Sequence, residues 1–169
     1  MVSGVSRARL VSEPRLRAAT RALVLDEDER ILLVRFDFGD RLVWAAPGGG
    51  VDEGETDEQA VRRELLEETG LDEFDLGPLV WTRTHHVPLG DGRWDGQTER
   101  YYVVRTRAFE PLPQLTREEL REENMSAVRW WSLDELETAG MLFAPRRLPS
   151  LVRSLLEDGP PVAPVDAGV

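Results

Sequence analysis

Hydrophobic residues come in short blocks separated by polar clusters, and most of the blocks have strand length. Ala18 to Leu25 and Ile31 to Phe36 are β-like runs, and the polar Asp26-Glu27-Asp28-Glu29-Arg30 between them has hairpin length, which predicts an antiparallel pair. A third short strand, Leu42 to Ala45, runs into Pro47-Gly48-Gly49-Gly50, where proline and glycines end regular structure and open the backbone to close approach. Thr56, with Gln59 three residues on, carries the signature of a capping box, and Gly70 stands where a C′ residue belongs, so a helix is predicted between them. Leu79 to Val87 and Arg100 to Phe109 read as strands joined by the Gly/Asp-rich segment Leu89 to Thr98, and Ala127 to Trp131 as another. Ser132 caps a short helix through Thr138. A last helix, Arg147 to Glu157, sets Leu148, Leu151, Val152, Leu155 and Leu156 on one stripe, the pattern of a helix laid on a sheet. This order predicts an α+β fold, a mixed sheet between helical layers. Residues 1–14 and 159–169 show no periodic patterning and are expected as flexible ends around one folded unit, residues 15–158.

Composition narrows the chemistry. A chain of 169 residues can bury one sizeable core without disulfides, and no apolar run reaches the ~20 residues of a membrane helix. The N-terminal arginines are not followed by a signal-peptide apolar stretch, so cytoplasmic residence is expected, with no membrane partner. No cysteine is present, which excludes thiolate metal sites and cysteine nucleophiles. All 21 basic residues are arginine, so lysine Schiff bases and lysine phosphate loops are excluded as well. The net charge of −11 argues against DNA or RNA polymers, whose binding draws on neutralised phosphates, and leaves a small phosphorylated molecule as the expected partner. A homodimer stays open.

The most informative segment lies between Gly49 and Leu71. Glu64, Glu67 and Glu68 are spaced i, i+3 and i+4, so a helix gathers three mutually repelling carboxylates on one face. Such a face is either solvated or the seat of a divalent cation, and Mg²⁺, which prefers hard oxygen ligands, is the natural guest, with Mn²⁺ as a substitute. Glu55, just before the helix cap, can add a fourth carboxylate. The segment also satisfies the pattern G-x5-E-x7-R-E-U-x-E-E-x-G-U, with U a bulky aliphatic, through Gly49, Glu55, Arg63, Glu64, Leu65, Glu67, Glu68, Gly70 and Leu71. Chance would produce such a match with a probability on the order of 10⁻⁸ per window.

This pattern resembles the Nudix box, and the strand and Pro47-Gly48-Gly49-Gly50 turn before it stand where that family has them. The resemblance implies the Nudix α/β/α sandwich and a metal-dependent hydrolase that cleaves the pyrophosphate of a nucleoside diphosphate linked to another group. Nucleoside triphosphates, oxidised nucleotides, ADP-ribose and sugar nucleotides are the classes it brings into view. It implies further that Glu64, Glu67 and Glu68 are metal ligands or the base that activates water, that the Gly48 or Gly49 backbone adds a ligand, that Arg63 holds helix and loop in register, and that Glu55 reinforces the metal site. An additional carboxylate on a loop after the box is expected among Glu118, Glu119, Glu122 and Glu123, with Glu122 and Glu123 preferred. A Nudix-fold isomerase is disfavoured because that chemistry relies on a cysteine. A ligand-binding module without turnover is the alternative, although its carboxylate set usually has gaps and this one has none.

Signals for the rest of a substrate are sparser. Arg35 ends an apolar strand and can reach a phosphate or simply be solvated. Trp44, three residues before Pro47, can stack on a base or fill the core. Trp94 sits in a loop with no obvious core to enter, so a wall for the ligand and a lid contact are both open. His85 and His86 are adjacent at a strand end and read as metal ligands only weakly. Pro88 lies near the place where a proline marks ADP-ribose specificity in the family, but not clearly on it.

Overall fold

The computed structural model describes residues 13–89 and 92–169. Alternation along its strands builds two cores, one on each face of a mixed sheet. In β1 (Leu16–Leu25), Ala22 and Val24 point to one face and Leu23 and Leu25 to the other. β2 (Ile31–Asp37) repeats this, with Leu32 on the first face and Ile31 and Leu33 on the second.

β1 runs parallel to β5 (Gly96–Arg105) over its whole length. β4 (Leu76–His85) lies antiparallel to β5. β2 is flanked by β3 (Leu42–Ala45) and β6 (Met125–Trp131), both antiparallel, and β7 (Leu142–Ala144) adds to β3 in parallel. The expected β1–β2 hairpin closes only at Leu25 and Ile31. The buried Asp26 carboxylate accepts the backbone N–H groups of Asp28 and Arg30 and the Arg30 guanidinium, which fixes the turn. Beyond it the strands diverge, and each finds its long ladder elsewhere.

Helices cover both faces. α1 (Asp57–Thr69) packs Val61 and Leu65 on the first. α3 (Leu133–Thr138) and α4 (Leu148–Asp158) cover the second with Leu136, Leu148, Leu151, Val152 and Leu155, and Leu156 packs at the margin. The expected layered α+β architecture is therefore present, and each such buried aliphatic side chain contributes about 1.5–3 kcal/mol. α1 begins and ends where the capping signals put it: Thr56 accepts the Gln59 N–H, Gln59 accepts the Thr56 N–H, and Gly70 closes the helix at φ 80°. Asp57 in its first turn accepts hydrogen bonds from Arg100 and Tyr102, tying the helix to β5.

Three elements were not expected. α2 (Arg117–Glu122) has its own capping box at Thr116 and Glu119 but buries no residue, so no apolar period announces it. β7 is only three residues long. β8 (Val165–Asp166) overturns the expectation of a flexible tail: it pairs in parallel with β4, and the next residue, Ala167, is fully buried and donates its N–H to the Thr82 carbonyl at 2.7 Å. Of the other expected flexible end, residues 1–12 lie outside the described residues. Among the described residues no helix is long and apolar enough to cross a membrane.

Candidate active site

Glu68 falls on the helix stripe that also holds Val61 and Leu65, so α1 carries a carboxylate toward the sheet, where it is only 4% exposed. The Pro47–Gly50 loop meets it there, and the Gly48 N–H donates to Glu68 Oε2 at 2.8 Å. Gly48 has φ 134°, and a Cβ there would lie 2.2 Å from the Thr20 carbonyl oxygen; at Gly49 it would lie 2.5 Å from Glu64 Oε1. Glycine is required at Gly48, where the loop lies directly against the β1 backbone at positive φ, whereas at Gly49 a side chain would have to displace the Glu64 carboxylate. Burial, reinforced by the neighbouring Glu64 charge, pushes the Glu68 carboxyl up to about 8 despite Arg21 and the Gly48 amide. Burial also raises Glu64, against the pull of Arg63. Glu67 is the most open of the three, with 39% of its side chain exposed.

Arg63 organises this corner. Its Nε and Nη2 grip Glu55 through two bonds of 2.9 Å, Nη2 also donates to the Gly50 carbonyl at 2.9 Å, and Nη1 donates to Glu64 Oε1 at 2.7 Å. The Arg63 hydrogen bonds hold the Glu55 carboxyl below its usual range. Helix, loop and the pre-helix carboxylate are thus fastened by one planar fork, which a lysine point charge cannot reproduce. Arg63→Lys is expected to lower kcat and Mn²⁺ affinity together, each by roughly 10- to 100-fold. Titrating Mn²⁺ and measuring KM in the same variant decides it: a pure rise in KM with unchanged metal affinity would show that Arg63 contacts the substrate instead.

Behind the loop lies a buried network absent from the sequence expectations. Arg21 on β1 donates from Nη1 to the Gly48 carbonyl at 2.6 Å and from Nε to Glu99 Oε1 at 2.8 Å. Glu99 on β5 also accepts from Gln97, Arg83 and Tyr101, each at 2.9 Å. Arg83 continues to the Gly168 carbonyl at 3.1 Å, so the C-terminal strand shares the network. Although burial opposes its charge, Arg21 and Arg83 hold the Glu99 carboxyl at about 2. A glutamate and two arginines inside otherwise apolar strands were the available signal.

These groups open on a cleft of about 850 Å³. Gly48, Gly49, Arg63, Glu64, Glu67 and Glu68 line it, as do Glu122, Glu123 and His85. Glu119 also lines it but is engaged by Thr116, whereas Glu118 stays outside. Burial lowers His85, which favours its neutral form, and His86 lies away from the cleft. The three substrate candidates are not brought together with the carboxylates. Trp44 is a core residue, 5% exposed and edge-on to Trp131 at 4.9 Å between centroids. Arg35 pairs with Trp44 across the β2–β3 ladder, its guanidinium 5.7 Å from the indole centroid, and bonds Ser126. Strand alternation turns both away from the cleft. Trp94 is half-buried and does not line it, although its carbonyl accepts the N–H of Leu89, which does. On the cleft wall stand instead Phe36, Phe38, Arg17 and Arg41.

Comparison with known proteins matches this arrangement to one family. The NUDIX domain model fits residues 15–151. An RNA pyrophosphohydrolase of Aliivibrio fischeri is 35% identical over 99 residues, covering 53% of this chain and 56% of that protein, so the chain spans about half the length of the curated relatives it matches. Among solved structures, the MutT protein of Methanosarcina mazei superposes with a TM-score of 0.65 at 20% identity, covering 86% of this chain and 98% of that one. The NUDIX domain of Shewanella oneidensis NrtR, solved with ADP ribose, gives 0.62 at 20% identity, covering 89% and 94%. At these identities the structural likeness speaks for the fold. With the domain model spanning most of the chain and Gly49, Arg63, Glu64, Glu67 and Glu68 of the box lining one cleft, the chain belongs to the NUDIX family.

Proposed function

We propose that the protein is a divalent-metal-dependent pyrophosphohydrolase acting on a nucleoside diphosphate linked to a further group. The observation that carries this reading is that Glu64, Glu67 and Glu68 line one cleft of nucleotide size together with the Gly48–Gly50 loop. The donor set fits Mg²⁺ or Mn²⁺ in kind: carboxylate oxygens, two of them desolvated, beside a backbone carbonyl. Among the described residues no three acidic or histidine side chains already converge on one point, because Glu64 is turned to Arg63 and Glu68 to the Gly48 amide. Binding therefore requires these side chains to reorient, and the Gly48 carbonyl to be shared with Arg21. Of the later carboxylates, Glu122 and Glu123 line the same cleft as the three glutamates and are the candidates for a further ligand.

A cation held there supplies the positive charge that a pyrophosphate, inert through its own negative charge, needs for attack by water. Glu67, the most open of the three, is positioned to accept the proton of that water. Arg63 and Glu55 keep loop and helix in register throughout. Mg²⁺ or Mn²⁺ at millimolar concentration is expected to raise the melting temperature, because the ion binds only the folded arrangement of the three glutamates; an unchanged melting temperature alongside activity would move the metal site elsewhere.

The net charge of −11 favours small nucleotides, while the RNA pyrophosphohydrolase relatives make a 5′-triphosphorylated RNA a candidate to be tested beside them. Screening nucleoside triphosphates, oxidised nucleotides, ADP-ribose, sugar nucleotides and that RNA for Mg²⁺-dependent phosphate or nucleoside monophosphate release tests the reading. Cleavage of at least one is expected, and binding without cleavage of any would favour the ligand-binding module.

A further inference from the structure

The cleft contains an aromatic feature that the carboxylate chemistry does not use. Phe36 and Phe38 stack with ring centroids 6.4 Å apart and planes 21° from parallel, and both line the same cleft as Glu64, Glu67 and Glu68. Half of Phe38 is exposed, and the Arg41 guanidinium stands 5.8 Å from its centroid. This is not a loosely tethered tip. The Asp37 carboxylate accepts the Gly39 N–H at 2.8 Å, Phe38 N–H donates to the Arg41 carbonyl at 3.0 Å, and Asp37 N–H donates to the Asn124 carbonyl at 2.8 Å. The last bond ties the turn to the segment that carries Glu122 and Glu123.

A half-exposed phenyl ring, supported by a second ring and flanked by a guanidinium, offers an aromatic face to a flat heterocycle in a cleft whose remaining lining is mainly charged and aliphatic. We propose that Phe38, backed by Phe36 and flanked by Arg41, stacks the nucleobase of the substrate, so that the site selects a base-bearing nucleotide over a base-free polyphosphate. This rests on the pyrophosphohydrolase reading of the carboxylate face. Stacking on an exposed aromatic tolerates any base, so the platform sets the substrate class and not the identity of the base.

The test compares ATP, GTP and ADP-ribose with inorganic tripolyphosphate in the wild type, Phe38→Ala and Phe38→Trp. Phe38→Ala is expected to raise KM for the cleaved nucleotide roughly 10- to 100-fold, with kcat within about threefold, and to leave tripolyphosphate unaffected. Phe38→Trp restores the nucleotide KM. Unchanged nucleotide KM in Phe38→Ala, or an equal loss for tripolyphosphate, overturns the platform. Should the wild type cleave none of these, calorimetric affinity in the presence of Mg²⁺ separates the two ideas. A preference for ATP over tripolyphosphate that disappears in Phe38→Ala keeps the base platform, and the hydrolase reading is then decided separately by the oxidised nucleotides, sugar nucleotides and RNA of the wider panel. Absence of that preference in the wild type, or its persistence in the variant, overturns the platform.

Discussion

Glu68→Gln is expected to lower turnover by about 10²-fold or more while the metal-free protein keeps its melting temperature. The two halves of this result have separate causes. Glu68 is buried beneath the Gly48 loop, and burial with the Glu64 charge already raises its carboxyl to about 8. Near neutral pH the metal-free fold therefore holds a side chain close in charge and shape to glutamine, and the amide oxygen can still accept the Gly48 N–H. Chemistry needs the ionised form, since a neutral amide is a poor ligand for a hard divalent cation. Activity within a few fold of wild type would remove Glu68 from the site. A collapse in metal-free stability would show instead that its charge holds the loop.

The second large effect lies in the network behind the loop. Glu99→Gln is expected to destabilise the protein by roughly 3 kcal/mol near neutral pH, because Arg21 and Arg83 lose the charge that compensates their burial. The direction of the pH dependence follows from the lowered carboxyl of Glu99, about 2 in the folded protein against an ordinary 4.5. Its stabilisation is fully present above about 4.5 and is lost as pH falls toward 2. The wild-type advantage over Glu99→Gln should therefore shrink across that window in urea unfolding experiments. A difference that stays constant from pH 5 to about pH 2 would contradict the assignment. Because Arg21 also bonds the Gly48 carbonyl, the variant should lose some Mn²⁺ affinity even under conditions where it is fully folded.

What could be read from the sequence divides along physical lines. α1 was legible to the residue at both caps, because a capping box and a C′ glycine are local chemistry, and the stripe of α4 was legible because burial imposes its period. β8 and α2 escaped because one is a two-residue edge strand and the other buries nothing, so neither leaves a hydrophobic pattern. At the site, the spacing of Glu64, Glu67 and Glu68 could place them on one helix but could not show that the helix sinks Glu68 and leaves Glu67 open, which depends on the loop and sheet above. Strand alternation also separates two of the expected substrate contacts from the cleft. Arg35 and Trp44 are cross-strand partners turned away from the cleft, and the ring that faces it belongs to Phe36, one position along the same strand. Arg21 and Glu99 meet through a parallel β1–β5 ladder spanning a sequence separation of 78 residues, and no local pattern reports such a pairing.

The central claim, that the α1 carboxylates carry a cation that makes the cleft a pyrophosphohydrolase, is tested most directly by ³¹P nuclear magnetic resonance on the best member of the substrate panel. The predicted result is that pyrophosphate resonances give way to those of a nucleoside monophosphate and a second phosphorylated product in Mg²⁺, stop on chelation, resume with excess Mg²⁺, and remain nearly static with Glu68→Gln. Nucleotide that stays intact in Mg²⁺ while bound to the folded protein, or cleavage that continues unchanged under chelation, would contradict it.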